Sequence, residues 1–148
     1  MKTAHRPATL SDAERLFEIR RNAIVALAPR GMSTAQVEIW ATNLTVAGME
    51  KKIRDLEIWI VQLNGAIVAW GAIRDDRLEG LYTAPEFAGR GIGTELLVML
   101  EGLLRQRGIS AAHTEASANA EGFYLHRGYV PIGPLNAREG RPMTKRLS

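Results

Sequence analysis

The stretch "TAPEFAGRGIGTELLVMLEGLL", Thr83–Leu104, decides the fold, because it places Gly89, Gly91 and Gly93 directly before a run with helical periodicity. The first turn of a helix leaves backbone N–H groups without partners, and the helix dipole adds partial positive charge there. Glycines let a phosphate approach the backbone closely because they carry no Cβ atom. The stretch therefore predicts a strand, a glycine loop and a helix that together bind an anion.

Two further residues of the loop fit an anion site, since Arg90 adds a positive charge and Thr94 a hydroxyl in the first helical turn. Two familiar phosphate motifs do not fit. A Rossmann fingerprint needs a third glycine where Thr94 stands, and a P-loop needs a lysine that the cluster lacks. The alternative is a glycine-rich turn that only begins a buried helix.

Length and composition restrict the class of protein. The 148 residues, 46% hydrophobic and 24% charged, suit one folded domain over residues 1–148. The net charge of +3 is dispersed along the chain, which argues against a nucleic-acid partner. No apolar run is long enough for a signal peptide or a membrane span. Because the sequence contains no cysteine, it excludes disulfides and a Cys nucleophile, and we expect a cytoplasmic protein.

Periodicity and turn signals predict an α/β (α+β) chain. Ser11 and Glu14 read as a capping box for a first helix, and Ser33 begins a second, with a further turn or two past Gly48. Asn64-Gly65 predicts a tight hairpin. The remaining expected elements are a strand at 77–83, a helix ending at Gly108, a strand at 109–115, a short helix ending at Gly128, and closing strands at 129–132 and 142–147.

Two segments resemble the GNAT (Gcn5-related) N-acetyltransferase superfamily. "AGRGIG", Ala88–Gly93, is similar to motif A, Q/R-x-x-G-x-G/A, except that Ala88 stands where the family usually has Gln or Arg. "EASANAEGFYLHRGYVPIG", Glu115–Gly133, resembles the later motif with an Asn-Ala pair, Phe-Tyr and a Gly-aromatic pair. The resemblance implies the GNAT fold, a central mixed and mostly antiparallel sheet flanked by helices.

The resemblance also implies acetyl-CoA as the acetyl donor, with no metal. It places the pyrophosphate on the amides of the glycine loop, the pantetheine along the end of the preceding strand, and Asn119 on the pantetheine or at a helix cap. Tyr124 matches the tyrosine that donates a hydrogen bond or proton to the departing thiolate, although it can also be a packed aromatic. The implied cofactor-binding residues are Leu81, Tyr82, Thr83, Gly89, Arg90, Gly91, Ile92, Gly93, Thr94 and Asn119.

The acceptor side calls for a base, because a primary amine is neutral in only about one molecule in 10³ at pH 7. Glu79, on the strand before the loop, is the first candidate, followed by Glu115 and His113 on a neighbouring strand. Each can instead be a structural hydrogen-bonding group. Trp40, Trp59 and Trp70 can line the acceptor pocket but more often belong to a core. The family resemblance assigns specificity to the segment 28–40.

The sequence therefore predicts an N-acetyltransferase that transfers acetyl to a primary amine by direct attack in a ternary complex. The acceptor is a small-molecule or peptide amine, with no nucleic acid or membrane as partner. The alternative is a CoA-binding sensor or partner protein that keeps the loop without catalysis. Since the family often pairs through its late strands, a homodimer is also expected.

Overall fold

A computed structural model describes residues 2–26, 35, 44–136 and 140–148. Its seven-stranded sheet has the order β1-β2-β3-β4-β5-β7-β6, in which β4 and β5 are parallel and every other pair is antiparallel. The predicted mixed, mostly antiparallel sheet is confirmed. The elements are β1 (Thr3–Pro7), α1 (Ala13–Ala26), α2 (Val46–Asp55), β2 (Glu57–Leu63), β3 (Ala66–Arg74), β4 (Arg77–Thr83), α3 (Ile92–Gln106), β5 (Ala111–Ala116), α4 (Glu121–Leu125), β6 (Val130–Pro131) and β7 (Arg141–Arg146).

The helices cover both faces of the sheet, so its central strands are apolar on both sides. On one face, Leu16 of α1 and Met49 of α2 pack against Trp70 of β3. On the other face, the leucine stripe of α3, with Leu96 and Leu100 fully buried, packs against the opposite side of β3 and β4. A site in the middle of the sheet is therefore bordered by α1 and α2 on one face and by α3 on the other.

The strongest local signals of the sequence form as predicted. Asn64 and Gly65 both have positive φ, 52° and 87°, which is the geometry of a tight two-residue hairpin between β2 and β3. The strand predicted at 77–83 is β4. Gly108, with φ 76°, follows the last turn of α3 and ends it.

The structure of the N-terminal region differs from the sequence prediction at two places. β1, which was not predicted, pairs along its whole length with β2. The Ser11–Glu14 capping box is wrong, because the helical segment begins earlier, with a 3-10 turn at Leu10–Asp12. Asp12 accepts a hydrogen bond from the Thr9 backbone at 2.8 Å and two from Arg6 at 2.8 and 2.9 Å. The capping box is therefore formed by Thr9 and Asp12, whose carboxylate accepts the backbone N–H of the N-cap residue.

Other boundaries differ as well. The second helix predicted from Ser33, with Trp40, lies almost entirely outside the described residues. The extra turn or two past Gly48 is instead α2, a helix of 10 residues with its own N-cap at Thr45. The closing strand expected at 129–132 is shorter, because β6 contains only Val130–Pro131.

Candidate active site

The centre of the sheet opens into a wedge between β4 and β5. The two strands pair only through Arg77 with His113 and Leu78 with Thr114, and then diverge. Past Leu78, this edge of β4 has no strand partner among the described residues, so its backbone polar groups face the wedge. The wedge is lined by Glu79, Gly80, Leu81 and Tyr82 of β4, by Thr114, Glu115 and Ala116 of β5, and by Tyr124 of α4.

A bulge in β4 lies where the strands begin to separate. Ala72 of β3 pairs with Gly80 and Ile73 with Leu78, so Glu79 is the extra residue. A bulge bends its strand and increases the local twist. The bulge therefore explains how one strand can begin paired to β5 and finish apart from it.

The glycine loop follows β4 and ends at the N-terminus of α3. Gly89 and Gly91 have φ of 78° and 80°, and a Cβ atom at either position would meet no atom within 4 Å. The backbone here is both left-handed and open on its outer side, as an anion site requires. Gly93 differs, because a Cβ atom there would lie 3.4 Å from the Phe123 ring, in ordinary contact.

Arg127, which the sequence analysis did not single out, lies at the same helix N-terminus. Its Nε and Nη2 donate to the Thr94 hydroxyl at 2.9 and 2.6 Å, and its Nη1 donates to the Phe123 carbonyl at 2.8 Å. The guanidinium also lies 3.7 Å from the centroid of the Phe123 ring. A fixed cation therefore stands beside the open amides, whereas Arg90 stacks on Phe87 at 5.2 Å. No local pattern indicates a contact between residues 33 positions apart.

Tyr124 is both a packed aromatic residue and part of the site. It is 6% exposed within the core and also lines the wedge. Burial raises the pKa of Tyr124 to about 12, and a hydrogen bond with the Thr114 side chain partly offsets the rise. The Thr114 hydroxyl also donates to the Leu78 carbonyl at 3.2 Å. The phenol is therefore protonated throughout the physiological range and is held at the wall of the wedge.

The three candidate bases are not equivalent in the structure. Glu79 and Glu115 both line the wedge, and Arg77 lies between them, 3.7 Å from the first and 3.1 Å from the second. His113, in the middle of β5, is instead paired opposite Arg77, and its Nδ1 lies 3.2 Å from Asp76. The structure thus brings together Tyr124 and two carboxylates and leaves His113 out of the wedge.

The comparisons with known proteins decide the family. The sequence model of the acetyltransferase (GNAT) domain matches residues 29–146. The chain belongs to the GNAT acetyltransferase family. It is accordingly an acetyl-CoA-dependent acetyltransferase, with acetyl-CoA as its acetyl donor.

Solved structures agree with this fold over nearly the whole GNAT chain. A GCN5-related N-acetyltransferase from Rhodopseudomonas palustris has a TM-score of 0.87 and 29% identity, covering 99% of this chain and 96% of that one. The PaiA N-acetyltransferase from Thermoplasma acidophilum, solved with coenzyme A, has a TM-score of 0.81 and 20% identity, covering 99% of each chain. YncA from Salmonella typhimurium, solved with acetyl-CoA, has a TM-score of 0.68 and 19% identity, covering 100% and 95%. A comparison with curated proteins finds no match.

The other predicted residues of this GNAT domain can now be placed. Leu81 and Tyr82 line the wedge, and the Thr83 hydroxyl lies beside Gly93. Asn119 is exposed in the turn before α4, directly before Ala120, which is the N-cap residue. Its role toward the donor stays a prediction.

The structure describes two of the three tryptophans. Trp70 is 1% exposed and donates to the Leu16 carbonyl at 3.0 Å, so it is a core residue behind Tyr82. Trp59 donates to Glu57 at 2.8 Å, and Trp40 lies outside the described residues.

In the described part of the chain, no group of three or more His, Asp or Glu side chains is arranged to hold a metal ion. None of the described helices is long and apolar enough to cross a membrane.

Proposed function

We propose that this acetyltransferase transfers the acetyl group of acetyl-CoA to a primary amine, by direct attack in a ternary complex. The observation that carries the proposal is the wedge, which brings the Tyr124 phenol and the Glu79 carboxylate to one opening beside an unpaired strand edge. Acetyl-CoA supplies an activated thioester. The C–N bond forms, the C–S bond breaks, and one amine proton passes to sulfur or solvent. With no cysteine in the chain, no thiol is available to carry the acetyl group.

The residues present fit acetyl-CoA. The backbone amides from Gly89 to Thr94 lie in the open, left-handed loop and in the first turn of α3. A pyrophosphate can approach them there. The backbone of Leu81, Tyr82 and Thr83 offers the free edge of β4 to the amides of the pantetheine arm. Strand-end amides of this kind can also polarise the thioester carbonyl.

Arg127 supplies a side-chain donor for the pyrophosphate that Ala88 does not. Most relatives of motif A have a Gln or Arg at the position of Ala88, which here has only a methyl group. Arg127, in the turn after α4, brings a guanidinium to the same helix start, already oriented by Thr94 and by the Phe123 ring. A planar guanidinium suits a phosphate and loses little freedom when it is fixed in advance.

Tyr124 acts as a hydrogen-bond donor to the departing sulfur. Its pKa of about 12 exceeds the value of about 8.5 for an ordinary thiol, so complete proton transfer is uphill by about 5 kcal/mol. A hydrogen bond to the developing thiolate needs no such transfer. Burial therefore favours a phenol that stabilises the leaving group while keeping its proton.

Glu79 acts on the acceptor. Removing a proton from an ammonium at pH 7 requires about 4–5 kcal/mol, since its pKa is near 10.4. A carboxylate at the wedge can bind the ammonium, orient it and pass its proton to solvent as the C–N bond forms. Glu79 lies on the bulge that opens the wedge, and Glu115 stands across from it as the second candidate.

Release of free CoA thiol, measured across amino acids, polyamines and peptides, tests the proposal together with calorimetry of acetyl-CoA binding. We expect Glu79→Gln to lower turnover by about tenfold or more with little change in acetyl-CoA affinity. Glu86→Gln, a 58% exposed carboxylate outside the wedge, is the matched control. Tight acetyl-CoA binding with no thiol release from any amine would instead establish the non-catalytic sensor.

Three broader properties belong to the same proposal. Residues 1–148 act as one acetyltransferase domain, since the Rhodopseudomonas structure covers 99% of the chain. The protein is cytoplasmic, in keeping with a sequence free of cysteine.

Two copies associate through the β6 edge, where Val130 and Ile132 are 55% and 58% exposed. Light scattering of the purified protein tests the last point, and a monomer at high concentration would refute it.

A further inference from the structure

We propose that the acceptor amine carries an anionic group, and that Arg20 of α1 and Lys52 of α2 bind this group. The inference rests on the proposed function and names the acceptor class for the same site. A molecule with an ammonium at the wedge and an anion a short distance away, such as an amino acid, has both of the required charges.

Arg20 lies beside the wedge and has no carboxylate partner among the described residues. Its guanidinium carbon is 5.8 Å from the centroid of the Tyr82 ring, and Tyr82 lines the wedge. Its Nε is buried and has no hydrogen-bond partner. Because buried polar groups are ordinarily satisfied, an unsatisfied guanidinium nitrogen beside the opening indicates a ligand that supplies an acceptor and a negative charge.

Lys52 is the second unpaired cation. It is half-buried on α2, and among the described residues it forms no ion pair. Met49 and Ile53, which flank Lys52 on this helix, pack in the same cluster as Trp70 and Tyr82, so Lys52 lies at the edge of the face that carries Tyr82. Burial lowers the pKa of Lys52, the Arg20 and Arg74 guanidinium groups lower it further, and Glu79 acts in the opposite direction. The preceding residue, Lys51, is 73% exposed and paired with Asp55, which shows what an ordinary lysine of this helix does.

Among the described residues, the charge at this mouth is positive overall. Arg74 and Arg77 already accompany Glu79 and Glu115, so adding Arg20 and Lys52 gives four cations against two carboxylates. A polyamine would be repelled here, whereas an anionic substituent would be attracted.

These cations do not serve the phosphates of acetyl-CoA. The glycine loop, Thr94 and Arg127 belong to the face of the sheet covered by α3 and α4. Arg20 and Lys52 belong to the face covered by α1 and α2, where Tyr82 packs on Trp70 with ring centroids 4.9 Å apart. The wedge passes through the sheet between the two faces. An amine that enters from the α1 and α2 side therefore meets the cations before it meets the thioester.

Matched acceptor pairs test the inference by thiol release. Amino acids are compared with their carboxamides, O-phosphoethanolamine with ethanolamine, and spermidine serves as the cationic acceptor. The anionic member of a pair should have a kcat/KM higher by about tenfold or more, as expected when one charge-assisted contact is gained. The two anionic probes separate a carboxylate from a phosphate. Preference for spermidine or for the uncharged members, in an enzyme that does acetylate amines, would overturn the inference and leave the proposed function intact.

Variants assign the preference to the two residues. Arg20→Gln and Lys52→Gln should each raise KM for the anionic acceptor by about tenfold or more while KM for acetyl-CoA is unchanged. Lys51→Gln and Arg54→Gln, both exposed on α2, are the matched controls. Lys52→Glu should shift the preference toward spermidine, and this holds as a test even if Arg20 variants fold poorly. An unchanged ranking of acceptors in every variant overturns the assignment. Failure of all amines would instead count against the proposed function.

Discussion

Arg127 and Thr94 meet at the start of α3, where two guanidinium N–H groups donate to one hydroxyl oxygen at 2.9 and 2.6 Å. The hydroxyl accepts both bonds, so its own proton remains available to a ligand at the helix N-terminus. The pair thus joins the turn after α4 to the first turn of α3. It also places a cation where the resemblance to motif A provides none at Ala88.

Substitution of Arg127 should weaken binding of the donor. We expect Arg127→Gln to raise the Kd for acetyl-CoA by about tenfold, because one charge-assisted contact is lost. Calorimetry with CoA and with dephospho-CoA checks the site of the loss. Equal weakening for both ligands identifies the pyrophosphate, whereas weakening confined to CoA would move Arg127 to the 3′-phosphate and contradict its place in the loop. Arg146→Gln, exposed at the end of β7, is the control.

Glycines of one loop should respond differently to the same substitution. Gly91→Ala should destabilise the protein by about 1–2 kcal/mol, because its left-handed φ of 80° crowds a Cβ atom. Gly93→Ala should leave stability unchanged or raise it by up to about 1 kcal/mol, since alanine favours a helix. Denaturant titration compares the two. Equal losses would show that the contact of Gly93 with Phe123 leaves no room for a methyl group.

Removal of the Tyr124 hydroxyl should affect turnover and not donor binding. We expect Tyr124→Phe to lower kcat by about tenfold with an unchanged KM for acetyl-CoA, the signature of a contact made in the transition state. Since burial raises the pKa of Tyr124 to about 12, ionisation of the phenol should cause no loss of activity below about pH 11. A wild-type basic limb near pH 10 that disappears in Tyr124→Phe would contradict the buried, protonated phenol.

The Arg6–Asp12 pair should govern acid stability. Hydrogen bonds from Arg6 lower the pKa of Asp12 from 3.8 to about 2. A depressed pKa stabilises the fold above pH 4 and loses its effect as the pH falls from about 4 to about 2. Asp12→Asn should therefore cost about 2 kcal/mol at pH 7, with the difference from wild type closing near pH 2. Urea titrations across this range measure it, with Asp75→Asn, exposed in the turn between β3 and β4, as control. A difference independent of pH would refute the ion pair as its cause.

Features set by neighbouring residues could be predicted from the sequence, and features set by distant pairing could not. The Asn64-Gly65 turn, β4 and the glycine loop each depend on the conformational preferences of a few adjacent residues. β1 depends instead on its partner strand, because "TAHRP" has little strand character of its own. The contact of Arg127 with Thr94 and that of Arg77 with Glu115 join residues 33 and 38 positions apart, and no local spacing encodes them.

The candidate site divides along the same line. Tyr124, Glu79 and the loop could be named from motif resemblance, but the exclusion of His113 follows from Asp76 at the turn between β3 and β4. Likewise, Arg20 and Lys52 lie on two different helices and come to one face of the sheet only because both helices pack there. Tertiary packing, more than residue type, determines which polar side chains reach the wedge.

The break in pairing between β4 and β5 separates two kinds of recognition. A four-stranded and a three-stranded part of the sheet are joined by only two residue pairs, and the main chain left over becomes the binding surface for the donor. Every amino acid has the same N–H and C=O groups, so point mutations in β4 leave most of that surface in place. The side chains of α1 and α2 have no such protection. In descendants of this gene, the choice of acceptor can therefore diverge rapidly while the use of a single acetyl donor persists.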